Sequence, residues 1–350
     1  MSMMRAAILS VSGPVLTRAE RCLLDEIRPW GVILMGRSIR SRAQVRRLVD
    51  EIWETLERPC LVFTDQEGGR VARLKAPEWP TFPTAETFAR LYDEDAALAL
   101  EATFLSHRLM ATELAALGIH ADCAPVCDLR VPGAHDIVGD RAFGHEPAKV
   151  ANLARAAMEG LHSGGVASVI KHIPGHGRAF ADSHEELPVV SVGRDLLDAD
   201  LAAFAAVNDA PMAMTAHIAY EAIDPGVAAT HSVKLISEVI RQRIGFDGLL
   251  MSDDLGMKAL GGMLAERAER ALDAGCDVVL HCSGFLADHD EILAEMREVG
   301  EAARPLEGLA LERARAAERM TTGWIDPRFE ADAVWESLRA ILRRPMEAVA

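Results

Sequence analysis

Aromatic side chains are scarce in this 350-residue chain, at 5%, so its apolar half is carried largely by Ala and Leu. Positive charge is also in deficit. A net charge of −16 argues against a polyanion as partner, because phosphate backbones are held by clustered Lys and Arg. The one basic run, Arg37, Arg40, Arg42, Arg46 and Arg47, has helical spacing and is read as a solvated face. No CxxC pair with zinc spacing occurs among Cys22, Cys60, Cys123, Cys127, Cys276 and Cys282. Buried free thiols in a reducing compartment are the expectation. No apolar run reaches membrane-spanning length, and the opening MSMMRAAILSVSGPVL has no small-residue cleavage site, so it reads as a first strand. A cytoplasmic protein is expected.

What is present is alternation. Apolar or β-branched runs at Ala6–Val11, Gly31–Met35, Cys60–Asp65, Ala121–Val126, Ala167–His172, Pro211–His217, Leu249–Asp253 and Asp277–Cys282 are mostly continuous, as in parallel strands buried on both faces. Between them lie helical patterns at Thr17–Ile27, Ser41–Leu56, Ala96–Leu117, Pro147–His162, Asp195–Val207, Ser232–Ile244 and Leu264–Ala274. Thr17 with Glu20 makes a capping pair, and Gly118, Gly245 and Gly275 stand where helices end. Eight such units predict a single-domain (β/α)₈ barrel of the TIM type over residues 1–303, with a charged helical extension over 304–350 packed on it. A doubly wound open sheet is the alternative, but no GxGxxG follows a strand. The long irregular stretches Gly68–Phe88, Leu129–Glu146 and Pro174–Gly193 each follow a strand, where a barrel builds its site.

Polar residues gather at the predicted strand ends: Thr64-Asp65-Gln66-Glu67, Lys171-His172, His217 and Ser252-Asp253-Asp254. Any one of them fits a loop-stabilising role about as well as a functional one. A complete polar mouth on an apolar barrel is costly unless function uses it. In Lys171–His184, KHIPGHGRAFADSH, Gly175 and Gly177 permit a mobile loop, and Asp182 lies two residues from His184. A carboxylate at that spacing orients an imidazole and raises its basicity, as a general acid/base requires. Alternation sends Asp253 and Asp254 to opposite sides, so one of them is expected to face the mouth. Two chemistries stay open on these residues alone. One is a metal-dependent barrel hydrolase with His172, His176, His184, His217 and Asp253 as ligands; the other is a glycosidase needing no metal. No H-x-H or H-E-x-x-H spacing appears, and the first strand has no His or Asp, which favours the second. A catalytically inert binding barrel would leave the polar mouth unexplained.

The motif K-H-I-P-G-H-G-x4-D-S-H resembles the signature of glycoside hydrolase family 3, in its branch of bacterial β-N-acetylhexosaminidases of peptidoglycan recycling. T-D-Q-E-G-G-R-V-A-R at Thr64–Arg73, A-P-V-C-D-L at Ala124–Leu129 and G-F-D-G-L-L-M-S-D-D at Gly245–Asp254 agree in order and spacing. The resemblance covers about Ala6 to Cys282. It implies Asp253 as nucleophile, His184 as acid/base and Asp182 as its partner. It also implies a sugar subsite of Asp65, Arg73, Arg141, Lys171 and His172, retention of configuration, and no cofactor or metal. The implied substrate is a small glycan, N-acetylglucosamine linked to anhydro-N-acetylmuramyl peptides, met by a monomer that needs no nucleic acid or membrane. Gly36-Arg37-Ser38 replaces the family's aromatic and Arg-Asn after the second strand, and Phe143 replaces an aromatic near Arg141. Glu67 and Arg70 are read as structural ion pairs. A phosphorylase is the neighbouring alternative, since an imidazole does not repel phosphate as a carboxylate would.

Overall fold

A computed structural model describes residues 3–133, 136–183, 185–284, 286–321 and 329–343. Eight parallel strands close into a barrel: Arg5–Ser10, Pro29–Ile33, Leu61–Thr64, Ala121–Asp122, Ala167–Ile173, Met212–Thr215, Leu249–Asp254 and Val278–His281. Each pairs with its sequence neighbours, and the first closes on the eighth with Ile8 opposite Leu280. The strands are buried nearly throughout, as both-face packing demands of a parallel sheet.

The helices start where the sequence says they should. Thr17 accepts from the Glu20 N–H while the Glu20 carboxylate accepts from the Thr17 N–H, completing the capping box ahead of helix Arg18–Ile27. Gly275 ends helix Leu264–Ala274 in the left-handed region. Between Leu235 and Arg243 the expected helix winds as a π-helix. Two helices escape the sequence reading: Ala85–Glu94, which begins inside the supposedly irregular Gly68–Phe88, and His289–Ala302.

The fourth strand is much shorter than Ala121–Val126. Pro125 has no N–H to give a ladder, so regular pairing stops at Asp122. The chain nonetheless runs on beside the fifth strand, where Val169 N–H donates to Ala124 C=O and Cys127 N–H to Lys171 C=O. That continuation carries Asp128 to the barrel mouth. Five of the cysteines are buried as expected, but Cys22 is exposed on the first helix. Helix Ala331–Leu342 packs against Ala96–Ala115, with Trp335 tilted on Phe82 at 5.3 Å between ring centres. Among the described residues no helix is long and apolar enough to cross a membrane.

Candidate active site

The strand ends meet in a cavity of about 340 Å³ at the C-terminal mouth of the barrel. Asp65, Arg73, Arg141, Lys171, His172, Asp253 and Asp254 all line it. The segment Thr64–Arg73 reaches it by folding back on itself. The Gln66 carboxamide oxygen accepts from the N–H groups of Arg73 and Leu74, both at 2.9 Å, closing a small hairpin of Gln66–Gly68 against Val71–Ala72. Gly68 turns that hairpin at φ +94°, and a Cβ there would meet the Pro83 carbonyl oxygen at 2.3 Å. The fold thus puts Asp65, Glu67 and Arg73 around one spot.

There the charges interlock. Asp65 takes Arg73 Nη2 at 2.9 Å on one oxygen and Lys171 Nζ at 3.2 Å on the other. Lys171 Nζ also meets Glu67 at 2.6 Å, and Arg141 grips Glu67 with two N–H bonds of 2.8 Å. Burial opposes the charge on both carboxyls, but the cations outweigh it: Asp65 is held well below the carboxylate range and Glu67 falls to about 2. Burial likewise opposes the charge on Lys171, and Glu67 and Asp65 overcome it. Glu67 and Arg70 are ion-paired as read from the sequence, Arg70 with Asp140 at 2.7 Å, yet both also line the cavity.

Asp128 organises the opposite side. Fully buried, it accepts from His172 Nδ1 at 2.6 Å and from the His176 backbone N–H at 2.6 Å. His176 Nε2 in turn lies 3.2 Å from the Ser183 hydroxyl, so the long loop is tied back to the strand. Gly177 lets that loop approach: a Cβ there would fall 1.8 Å from the Leu129 carbonyl oxygen. Burial pushes the His176 imidazole down to about 4, keeping it neutral. Asp182 lines an adjoining cavity of about 540 Å³ with Glu185, Lys258 and Glu295, and Gly284 lines both cavities. His184, and with it the pairing to Asp182, lies outside the described residues.

The expectation that only one of Asp253 and Asp254 faces the mouth needs correcting, because both line the cavity. They differ in what holds them. One Asp254 oxygen accepts from the N–H groups of Gly256, at 3.0 Å, and Cys282, at 2.9 Å. Among the described residues Asp253 accepts one bond, 2.8 Å, from the Asp254 N–H. Burial works against the Asp253 charge, but the imidazoles of His172 and His217, that N–H and Lys171 hold its carboxyl below the usual range. His217 spends both ring nitrogens elsewhere: Nε2–H donates to the Asp254 carbonyl at 3.0 Å, and Nδ1 accepts from Thr230 at 2.7 Å. Among the described residues no three His, Cys, Asp or Glu side chains are placed to hold a metal ion, and His184, one of the ligands considered for a metal, lies outside them.

Three residues here escaped the sequence reading. Asp128 stood just beyond a strand drawn to Val126, although the strand-end rule that found Asp65 would have found it. Asp122, fully buried, keeps one oxygen without a partner among the described residues, and burial raises its carboxyl well above the usual range. Arg37 was assigned to a solvated basic face. Instead it is half-buried and donates to Val11, Ser283 and Cys282 carbonyls and to the Ser10 hydroxyl.

Comparison with known proteins agrees with this geometry. Residues 8–308 match the model of the glycosyl hydrolase family 3 N-terminal domain. A β-hexosaminidase of Alkalilimnicola ehrlichii is 43% identical over 284 residues, 79% of this chain and 80% of that protein. NagZ from Neisseria gonorrhoeae, solved in complex with N-trifluoroacetyl-D-glucosamine, superposes with a TM-score of 0.83 at 30% identity, covering 97% of this chain and 99% of that one. A family 3 β-N-acetylglucosaminidase from Paenibacillus superposes with a TM-score of 0.82 at 28% identity, covering 96% of this chain and 66% of that one.

Proposed function

The chain belongs to glycosyl hydrolase family 3, and from that premise we propose that it is a retaining β-N-acetylhexosaminidase. It releases terminal N-acetylglucosamine from muropeptides during peptidoglycan recycling in the cytoplasm, as a monomer. The observation that carries the reading is the state of Asp253. Asp65, Glu67, Asp128 and Asp254 are each held by cations, an imidazole or two N–H groups. Asp253, held below the usual carboxylate range by its surroundings, takes one N–H bond among the described residues. It is less tied down than Asp254, one oxygen of which takes two, so Asp253 is the better placed of the pair to attack.

In the first half-reaction an Asp253 oxygen bonds to the anomeric carbon as the glycosidic C–O bond breaks. The leaving oxygen takes a proton from His184, which Asp182 orients. In the second, the neutral imidazole removes a proton from water, water oxygen bonds to the anomeric carbon, and Asp253 departs as carboxylate. Asp65, Arg73, Arg141, Lys171 and His172 hold the ring hydroxyls, contacts that strengthen as oxocarbenium character develops. Relatives named as β-hexosaminidases support the choice of a 2-acetamido sugar.

The test compares aryl β-N-acetylglucosaminide and aryl β-glucoside with the same leaving group. A site built around a polar group rejects the analogue lacking it, so kcat/KM should favour the acetamido sugar by at least about 100-fold. The β-anomer should be the first product seen by NMR. Equal rates on the two sugars remove the hexosaminidase assignment.

A further inference from the structure

Arg37 spans the seam where the barrel closes. Its Nε–H donates to the Val11 carbonyl at 3.0 Å, just past the first strand, and Nη2 to the Ser10 hydroxyl at 2.9 Å. Its other bonds cross to the loop after the eighth strand, to Cys282 C=O at 2.7 Å and Ser283 C=O at 2.9 Å. Among the described residues no carboxylate bonds to it, and the fork is given to backbone carbonyls and one hydroxyl. A guanidinium is suited to such a task, since its donors point in fixed directions.

The loop it holds needs holding. Ser283 sits at φ +48°, in the left-handed region that a non-glycine residue avoids. Arg37 secures its carbonyl, while its hydroxyl contacts His281 at 2.9 Å and Glu295 at 3.0 Å. The neighbouring Cys282 N–H donates to Asp254, and the Asp254 N–H donates to Asp253. The next residue, Gly284, stands between the catalytic cavity and the one lined by Asp182.

We propose that Arg37 is a positioning residue for the hydrolysis: by clamping Cys282 and Ser283 to the first strand it fixes Asp254, and through the Asp254 N–H the orientation of the Asp253 carboxylate. This rests on Asp253 being the nucleophile. Arg37 has no contact with the Asp65–Lys171–Glu67–Arg141 cluster, so sugar affinity and nucleophile placement are separable here.

The experiment uses the full chain carrying Arg37→Ala or Arg37→Lys, with aryl β-N-acetylglucosaminides of two leaving-group acidities. Both variants should lose about tenfold or more in kcat/KM, equally for both leaving groups, because nucleophilic attack is impaired and proton donation is not. The inhibition constant of N-acetylglucosamine should stay within twofold. Added guanidinium below denaturing concentration should restore part of the rate to Arg37→Ala and none to Arg37→Lys. If Arg37→Ala fails to fold, Arg37→Lys keeps the charge without the fork and is judged by the same rate and inhibition criteria. A rate within twofold of the parent overturns the proposal, as does an inhibition constant that rises in step with the lost rate. A parent chain inactive on every N-acetylglucosaminide would instead overturn the glycosidase reading.

Discussion

Glu67→Gln tests the electrostatics of the sugar subsite most directly. Glu67 is the joint between Arg141, which it meets through two bonds, and Lys171. Its side chain is only 6% exposed, so little solvent screens the cluster. A carboxyl lying at about 2 against an ordinary 4.5 stabilises the fold by about 3 kcal/mol at pH 7. Removing one partner from a buried ion pair costs about 3–5 kcal/mol, which agrees. With an unfolding entropy of about 2.1 cal/mol/K per residue, 350 residues give about 0.7 kcal/mol/K, so the melting temperature should fall by about 4 °C. The pH dependence has a definite sign. A depressed carboxyl contributes its full stability above the unfolded value near 4.5 and loses it as pH falls towards about 2. Urea unfolding of parent and variant at pH 7 and at pH 3.5 measures the gap directly. It should be about 3 kcal/mol at neutral pH and clearly smaller in acid. A gap under about 1 kcal/mol at pH 7, or one that widens on acidification, would refute the argument. Lys171 and Arg141 would also lose their shared anchor, so KM should rise.

Two further outcomes bear on the chemistry. Asp253→Ala should abolish turnover, and mass spectrometry after a 5-fluoro glycoside should find the label on Asp253; a label on Asp254 would reverse the assignment, even though two N–H groups already occupy an oxygen there. His184→Ala should slow glycosides with poor leaving groups far more than activated aryl ones, with Asp182→Ala milder in the same direction, whereas an equal loss for all leaving groups would deny His184 a role in proton transfer.

The barrel was legible in the sequence because parallel strands buried on both faces leave unbroken apolar runs, and helices between them announce their ends through Thr17, Ser41 and Gly275. Strand ends likewise pointed to Asp65, Lys171, His172 and Asp253, which line the cavity at the mouth. What stayed hidden depended on contacts across the barrel that no local pattern encodes. The spacing that makes Arg37 look like part of a basic helix face says nothing of the carbonyls of Cys282 and Ser283, some 245 positions away. Side-chain alternation separated Asp253 from Asp254 too cleanly, because Asp254 stands at a break in the register between the last two strands. Asp128 lay two residues past the strand as drawn from the sequence, where the chain runs on beyond Pro125 after the regular ladder has ended.

The charges at the mouth also bear on which acceptor ends the reaction. Asp65, Glu67, Asp128 and Asp253 are held below the ordinary carboxylate range, and the cations lining the mouth are Lys171, Arg70, Arg73 and Arg141. Lys171, Arg73 and Arg141 bond to Asp65 and Glu67, Arg70 bonds to Asp140, and the His172 imidazole covers Asp128. Among the described residues of the mouth, negative charge without a bonded cation therefore collects at Asp253 and Asp254, and on the proposed mechanism the anomeric carbon gains positive character beside Asp253 as its C–O bond breaks. A preorganised charge placed where opposite charge develops lowers the barrier without stabilising the neutral ground state. The same excess works against a phosphate dianion entering the mouth, because every cation there is already committed to a carboxylate. Water brings no charge, and the second step needs only a base to take its proton. An imidazole acid/base leaves phosphorolysis open in principle, but the surrounding ion pairs favour hydrolysis.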